Sequence, residues 1–184
     1  MTIAFSPETE TRFQKIVARY PEENRLAALL PALLLAQGEF GWVSVEVMDY
    51  LAERLGVHPA KVLSTATFYT MINKQPVGKC HIQVCTTLSC AMRGGYALID
   101  VLEDRLGVRL GETDANENYT LSEVECLAAC GTAPMFQVTF SDGEIEYYED
   151  LDLEKPERLE AVLSELNARL ATLKTPRAMH QEFS

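Results

Sequence analysis

The first 75 residues carry apolar side chains at helical spacing, interrupted by turn residues. Ser6 and Pro7 are a capping residue and the proline that commonly opens a helix, and the helical pattern then runs as far as Pro21. A second helix is predicted over Leu26–Gln37. We expect the helix to be interrupted or kinked at Pro31, because proline has no backbone N–H to donate to the preceding turn.

Two more helices are predicted in the same region. Residues Gly38–Trp42 predict a turn, after which Ser44 caps a third helix that stops at Gly56. A fourth helix is predicted to start at Pro59 and to end near Met71. Short helices of this kind can close a helical bundle, which we predict for residues 1–78.

The pattern changes at Lys79 to strands that alternate with helices. The turn sequence Ser141-Asp142-Gly143 separates two strand-like segments and predicts a hairpin. The predicted elements of this half are, in order, strand His81–Cys85, helix Met92–Leu106, strand Tyr119–Cys126, strands Met135–Phe140 and Glu144–Tyr148, and helix Leu153–Leu173. This order predicts an α/β domain with a mixed sheet over residues 79–173.

The chain as a whole is therefore predicted to be α+β, with an N-terminal helical bundle followed by an α/β domain. Residues 174–184 are polar and are predicted to form a flexible C-terminal tail. The composition, 47% hydrophobic and 23% charged, is typical of a folded globular protein and does not indicate disorder.

The sequence favours a cytoplasmic protein without direct membrane insertion. Its first residues lack the basic and apolar stretches of a secretory signal. The longest apolar run, Leu26–Ala36, is far shorter than the roughly 20 residues that span a bilayer. In the cytoplasm, clustered cysteines bind metals or perform redox chemistry more often than they form disulfides.

The net charge of −11 is confined to one half of the chain. Residues 1–79 contain eight basic and eight acidic residues, whereas residues 80–184 contain eight basic and 19 acidic ones. The acidic half lacks the basic surface that nucleic acid requires, so a nucleic-acid partner is not expected.

All five cysteines lie in the acidic half, in two groups. The stretch KCHIQVCTTLSC places Cys80, Cys85 and Cys90 at equal intervals, which gives two overlapping C-x4-C frames. The stretch CLAAC places Cys126 and Cys130 in a C-x3-C frame. Four thiolates from two separated loops are what a 2Fe–2S cluster needs, two for each iron.

The alternation of side chains along the first strand favours one of the two overlapping frames. Cys80 shares a face of the strand with Ile82 and Val84, and so belongs with the apolar core. Cys85 and Cys90 instead bracket a loop, and two ligands that bracket a loop can converge on one metal.

Other chemistries use the same residue types and stay open from the pattern alone. Structural zinc also takes four thiolates, although zinc modules favour C-x2-C spacing. A thiol–disulfide oxidoreductase favours C-x-x-C at a helix start, and buried cysteines can serve as small hydrophobic residues. The histidines do not fit a Rieske-type site. Neither a phosphate loop nor a nucleophile–base pair is visible, so no substrate site is expected in this chain.

Six motifs follow one another in a specific order: ATFYTM (66–71), KQPVGK (74–79), VCTTLSCAMRGG (84–95), LGVRLGET (106–113), VECLAACGTAPM (124–135) and YYEDL (147–151). In order and spacing they closely resemble the 24-kDa-type subunit of respiratory complex I, NADH:quinone oxidoreductase. That family is a thioredoxin-like 2Fe–2S ferredoxin. The resemblance runs from about residue 8 to 172 and leaves out the polar tail.

The resemblance implies a thioredoxin-like α/β domain with one 2Fe–2S cluster. Matched residue by residue, it implies that Cys85, Cys90, Cys126 and Cys130 bind the cluster and that Cys80 does not. Enzymatic activity is implied only as a subunit of NADH:quinone oxidoreductase. Related subunits serve in NAD-linked hydrogenases and formate dehydrogenases, and these stay alternatives.

The resemblance also implies partners. A flavin subunit that binds FMN, oxidises NADH and carries a 4Fe–4S cluster would exchange an electron with the 2Fe–2S cluster. With other peripheral-arm subunits it would hold the protein at the inner face of the bacterial cell membrane. Large side chains in the first half are expected either to dock on the flavin subunit or to fill the bundle; these are Phe40, Trp42, Phe68, Tyr69 and Met71.

Overall fold

The computed structural model describes residues 3–174, so the predicted flexible tail lies outside the described residues except for Lys174. The chain forms two compact units, which divide between Pro76 and Val77. Each unit has an apolar core of its own.

The first unit is helical. Its helices are α1 Pro7–Val17, α2 Leu29–Phe40, α3 Val45–Leu55 and α4 Pro59–Phe68, with a 3-10 turn at Glu22–Ala28 before α2. Their apolar faces enclose a core that includes Phe13, Leu33, Phe40 and Leu51, all fully buried. The α1 and α3 starts are confirmed, because the Ser6 and Ser44 hydroxyls accept hydrogen bonds from the backbone N–H groups three residues ahead.

The predicted interruption or kink at Pro31 is wrong, and the turn predicted over Gly38–Trp42 begins only at Gly41. Helix α2 begins at Leu29, so Pro31 lies in the first turn, where a backbone nitrogen needs no partner within the helix. The helix then continues through Gly38 to Phe40. It ends at Gly41, whose φ of 79° is a conformation that favours glycine.

The second unit is a four-stranded mixed sheet with helices. Its elements are β1 Cys80–Cys85, α5 Leu88–Met92, α6 Gly95–Leu106, β2 Tyr119–Val124, β3 Phe136–Phe140, β4 Ile145–Tyr148 and α7 Pro156–Leu170. The strand order is β2-β1-β3-β4, with β1 parallel to β2 and antiparallel to β3, and with β3 antiparallel to β4. The predicted α+β class and mixed sheet are confirmed.

One face of this sheet forms the core of the second unit. Cys80, Ile82 and Val84 on β1 are fully buried, together with apolar residues of α6 and α7. Cys80 therefore packs in the core, as the alternation along the strand predicts. Burial raises the pKa of its thiol to about 11, which keeps it protonated at neutral pH.

The helix predicted over Met92–Leu106 begins later, at Gly95, and a separate short helix, α5, precedes it. Helix α5 ends at Met92, and α6 begins at Gly95 after Gly94, which has a φ of 93°. A positive φ breaks the helical path, and glycine adopts it without steric cost. None of the helices within residues 3–174 combines the length and apolar character that a membrane-spanning helix needs.

Candidate metal centre

Two loops at one edge of the sheet carry four of the cysteines. The first loop leaves β1 at Cys85 and enters α5, which contains Cys90; the second follows β2 and carries Cys126 and Cys130. Because β1 and β2 are parallel, their carboxyl ends lie at the same edge, and Cys85 pairs with Val124 in the register. The sheet topology therefore brings the two loops together.

The cysteines of the second loop face each other. The Sγ atoms of Cys126 and Cys130 are 3.4 Å apart, far longer than the roughly 2.04 Å of a disulfide. Two thiolates on one tetrahedral metal with bonds of about 2.3 Å lie about 3.7 Å apart, so this pair suits a shared metal. The Ala128 backbone N–H also lies 3.4 Å from the Cys126 sulfur.

Polar contacts cross between the loops. The Leu127 backbone N–H, in the second loop, lies near the Cys85 sulfur, in the first, and favours its negative charge. The Ser89 side chain, in the first loop, makes the reverse contact with the Cys130 sulfur. Each loop therefore supplies a donor to a sulfur of the other, and such donors stabilise thiolates that bind metal.

The four thiols differ in exposure. Cys85 and Cys90 are buried in a small apolar cluster with Ala133 and Met135, whereas Cys126 and Cys130 are exposed. A metal held by all four would be buried on the side of the first pair and open to the surface on the side of the second.

Burial and neighbouring groups shift the pKa of three of these thiols, Cys85, Cys90 and Cys130. Burial opposes ionisation of Cys85, but the N–H groups of Thr87 and Leu127, the Cys90 thiol and the Thr87 hydroxyl lower its pKa overall. Burial and the neighbouring Cys85 raise the pKa of Cys90 to about 11. Contact with Cys126 raises the pKa of Cys130, and Cys85 adds to this. Thiolates that repel one another in this way are stabilised by a bound cation.

The thiols form two pairs, Cys85 with Cys90 and Cys126 with Cys130. Within residues 3–174, no three His, Cys, Asp or Glu side chains are grouped so as to hold a single metal ion. Two cysteines per iron is the ligand arrangement of a 2Fe–2S cluster. The residues present therefore fit that group by donor type, number and pairing.

Residues after β4 hold the second loop in place through hydrogen bonds. The Thr132 hydroxyl donates to the Glu149 carboxylate at 2.5 Å, and the Asp150 N–H donates to the Thr132 carbonyl at 2.8 Å. The Leu151 N–H donates to the Pro134 carbonyl at 3.0 Å. The motif YYEDL thus supports the second cysteine loop from a distant point in the sequence, a role that the pattern of residues did not indicate.

Gly95 lets α6 approach the first loop. A Cβ atom at this position would lie 2.9 Å from the carbonyl oxygens of both Cys85 and Cys90. Real Cβ atoms essentially never come that close to backbone, so only glycine fits here without displacing the loop.

The histidines of the described residues lie apart from this site. His81 is buried in the sheet, its Nε2 is 2.8 Å from the Ser122 hydroxyl, and burial lowers its pKa to about 4. The His58 side chain accepts a hydrogen bond at the start of α4. His180 lies outside the described residues.

Large apolar side chains are exposed around the first loop. Leu88 and Met92, one turn apart in α5, are 73% and 79% exposed, and Tyr96 in the first turn of α6 is 58% exposed. The sequence pattern did not single out these residues, because the predicted helix began only at Met92. Three exposed apolar residues beside a metal centre are typical of a surface that binds another protein.

The large residues of the first unit divide between core and surface. Phe40 is 2% exposed and lies in the core, so of its two expected roles it fills the bundle. Tyr69 is half-buried and packs against the same core, and Trp42 is half-buried. Phe68 and Met71 are 78% and 54% exposed and so remain available for docking.

With this geometry, the comparisons with known proteins point to one class, a thioredoxin-like domain with an iron–sulfur site. Residues 13–167 match the family "Thioredoxin-like [2Fe-2S] ferredoxin". The chain belongs to this family.

Relatives at moderate identity cover most of the chain. It is 39% identical to an NADH-quinone oxidoreductase subunit of Rickettsia prowazekii, over 92% of this chain and 94% of that protein. It is 43% identical to the corresponding subunit of Rickettsia conorii, over 77% and 83% of the two chains. NADH dehydrogenase [ubiquinone] flavoprotein 2, mitochondrial, of Dictyostelium discoideum is 40% identical over 80% of this chain and 58% of its own. The predicted resemblance to this component of complex I is confirmed.

A solved structure shares the fold. The chain superposes on the NAD+-reducing [NiFe]-hydrogenase in the air-oxidised state with a TM-score of 0.61 at 20% identity. The match covers 77% of this chain but only 23% of the hydrogenase chain.

The role of Gly95 can be tested by adding one methyl group. We expect Gly95→Ala to destabilise the fold by about 1–3 kcal/mol and to weaken metal retention, because the Cβ atom must displace backbone at both ends of the first loop. Urea unfolding and metal analysis measure the two effects. Gly131→Ala is the control, since Gly131 follows Cys130 but has no atom within 4 Å of its added Cβ. Equal effects of the two substitutions would contradict this account.

Proposed function

We propose that this protein is the electron-transfer subunit of an NADH:quinone oxidoreductase and holds one 2Fe–2S cluster through Cys85, Cys90, Cys126 and Cys130. One observation carries the proposal: two pairs of cysteines, from two loops, stand at the same edge of the sheet with hydrogen-bond donors directed at their sulfurs. Membership of the family supports it. Cys80 has no part in the site, because it packs in the core.

The arrangement favours a cluster over zinc. A structural zinc ion takes four ligands around one centre, whereas the cysteines here form two pairs, one buried and one exposed. A thiol–disulfide oxidoreductase would need two thiols of one pair to react as an exposed C-x-x-C motif. Neither pair has that spacing, and the buried pair is closed off by Ala133 and Met135.

The residues of this chain would set the conditions for electron transfer. When bound, the cluster supplies a centre that accepts and releases one electron. Burial of Cys85 and Cys90 keeps water from one side of the site, and the N–H groups of Thr87, Leu127 and Ala128 favour negative charge on sulfur. Backbone hydrogen bonds hold both cysteine loops in place, among them Thr86 N–H to the Val124 carbonyl and Asp150 N–H to the Thr132 carbonyl. Little rearrangement of the loops is therefore needed when the charge of the cluster changes.

We further propose that the partner is a flavin subunit that binds FMN and NADH and carries a 4Fe–4S cluster. An electron donor must come close to the acceptor, and the site is open on the side of Cys126 and Cys130. The exposed Leu88, Met92 and Tyr96 supply apolar area for such a contact. This docking, together with other peripheral-arm subunits, would hold the protein at the inner face of the cell membrane.

We propose two domains, residues 1–78 as an N-terminal helical bundle and residues 79–173 as the thioredoxin-like, cluster-binding domain. A second candidate is the equivalent subunit of an NAD-linked hydrogenase or formate dehydrogenase, which the shared fold with a hydrogenase supports. The higher identity and coverage of the NADH-quinone oxidoreductase relatives favour the first candidate.

Five single substitutions test the ligand set. We expect Cys85→Ala, Cys90→Ala, Cys126→Ala and Cys130→Ala to lose most of the iron and sulfide and the visible absorption of the cluster. Each removes one of the four thiolates that the cluster requires. Cys80→Ala is the matched control and should keep both, because its thiol lies in the core. Loss of the cluster in Cys80→Ala together with its retention in Cys85→Ala would show that the assignment of Cys85, and not Cys80, as a ligand is wrong.

Affinity purification of the full chain from its native cells tests the assembly. We expect a flavin subunit and other subunits of an NADH:quinone oxidoreductase to co-purify, and substitution of Leu88, Met92 and Tyr96 by serine to reduce the yield of the flavin subunit at unchanged iron content. A matched triple substitution of the exposed Leu26, Leu34 and Val45 should leave it unchanged. Recovery of hydrogenase or formate dehydrogenase subunits instead would favour the second candidate.

A further inference from the structure

The Thr87 hydroxyl lies inside the first loop without a hydrogen-bond partner. Among residues 3–174, its Oγ1 is the buried side-chain oxygen or nitrogen that finds no partner. A buried polar atom normally has one, and leaving it without one is unfavourable. A buried hydroxyl of this kind calls for an explanation, and its position next to the metal-binding cysteines supplies one.

Thr87 does not use its hydroxyl to cap the helix that follows. It occupies the N-cap position of α5, with the extended backbone (φ −76°, ψ 162°) that suits a capping threonine, yet its side chain accepts no hydrogen bond from the helix. Ser44, in the same position before α3, accepts from the Val47 N–H at 3.3 Å. The Thr87 hydroxyl therefore does not cap α5, although Thr87 occupies the N-cap position.

The hydroxyl instead lies by the Cys85 sulfur. The Thr87 side chain contacts that of Cys85, two residues earlier in the same loop. Its hydroxyl is outside hydrogen-bond geometry with the neutral thiol, which is a weak acceptor. A metal-bound thiolate carries negative charge and is a much better acceptor.

We propose that the Thr87 hydroxyl donates a hydrogen bond to the Cys85 sulfur of the bound cluster and thereby raises the reduction potential of the cluster. The proposal rests on the proposed function, because it requires a cluster on Cys85. Reduction adds one electron and so increases the negative charge on the sulfurs. A hydroxyl donor that is already in place stabilises the reduced state more than the oxidised state.

Substitution of Thr87 in the full chain carrying its cluster tests the proposal. Thr87→Val keeps the branched shape of the side chain and removes the donor, so the midpoint potential in an EPR-monitored redox titration should fall. Thr87→Ser restores a hydroxyl and should return the potential toward the wild-type value. Thr86→Val is the control and should not shift it. Thr86 is a neighbouring threonine of similar exposure whose N–H donates to the Val124 carbonyl at 3.3 Å.

A second measurement separates a hydrogen bond from a change in packing. In the reduced wild type, ENDOR spectra in water and in deuterium oxide should show an exchangeable proton coupled to the cluster that is absent in Thr87→Val and present in Thr87→Ser. Thr87→Ala provides a second variant without a hydroxyl if Thr87→Val does not load iron.

Different results would overturn the role of Thr87 and the proposed function. A normal iron content in Thr87→Val with an unchanged potential and an unchanged ENDOR spectrum would overturn the role of Thr87 and leave the proposed function intact. A wild-type chain that takes up no iron would overturn the proposed function itself.

Discussion

The parallel pairing of β1 with β2 is the constraint on which the candidate site depends. It places the ends of both strands at one edge of the sheet, where Cys85 is in register with Val124. Two cysteine loops about 35 residues apart in sequence thereby become neighbours. The central position of β1 has a second consequence, because both of its faces are buried. Its side chains therefore divide between the core, with Cys80, and the candidate metal centre, with Cys85.

Electrostatics explains why this edge suits a metal. The buried pair is a poor place for free thiolates, since burial and mutual repulsion raise the pKa of Cys90. Backbone N–H groups and the cross-loop contacts offset part of that cost at Cys85 and Cys130 without supplying a positive charge. A bound cation supplies the positive charge that these dipoles lack and so stabilises the thiolates. The exposed pair leaves the same centre within reach of a partner surface, as one-electron transfer between proteins requires.

Local signals in the sequence predict the parts of this protein that depend on near neighbours. The caps at Ser6 and Ser44, the order of strands and helices, and the burial of Cys80 follow from capping and alternation, and the structure bears them out. Contacts between distant segments have no such signal. The close approach of Gly95 to Cys85 and Cys90 depends on how α6 packs, and Glu149 acts only after the fold brings it to Thr132. The ligand set stays a prediction, supported by geometry.

The measurement that tests the central claim most directly is the identity of the metal in the purified wild-type chain. Metal and acid-labile sulfide analysis, combined with EPR of the dithionite-reduced protein, distinguishes a cluster from a single ion. The account predicts two irons and two sulfides per chain, with one unpaired spin after one-electron reduction. A colourless protein with one zinc per chain, no iron and no EPR signal would contradict it.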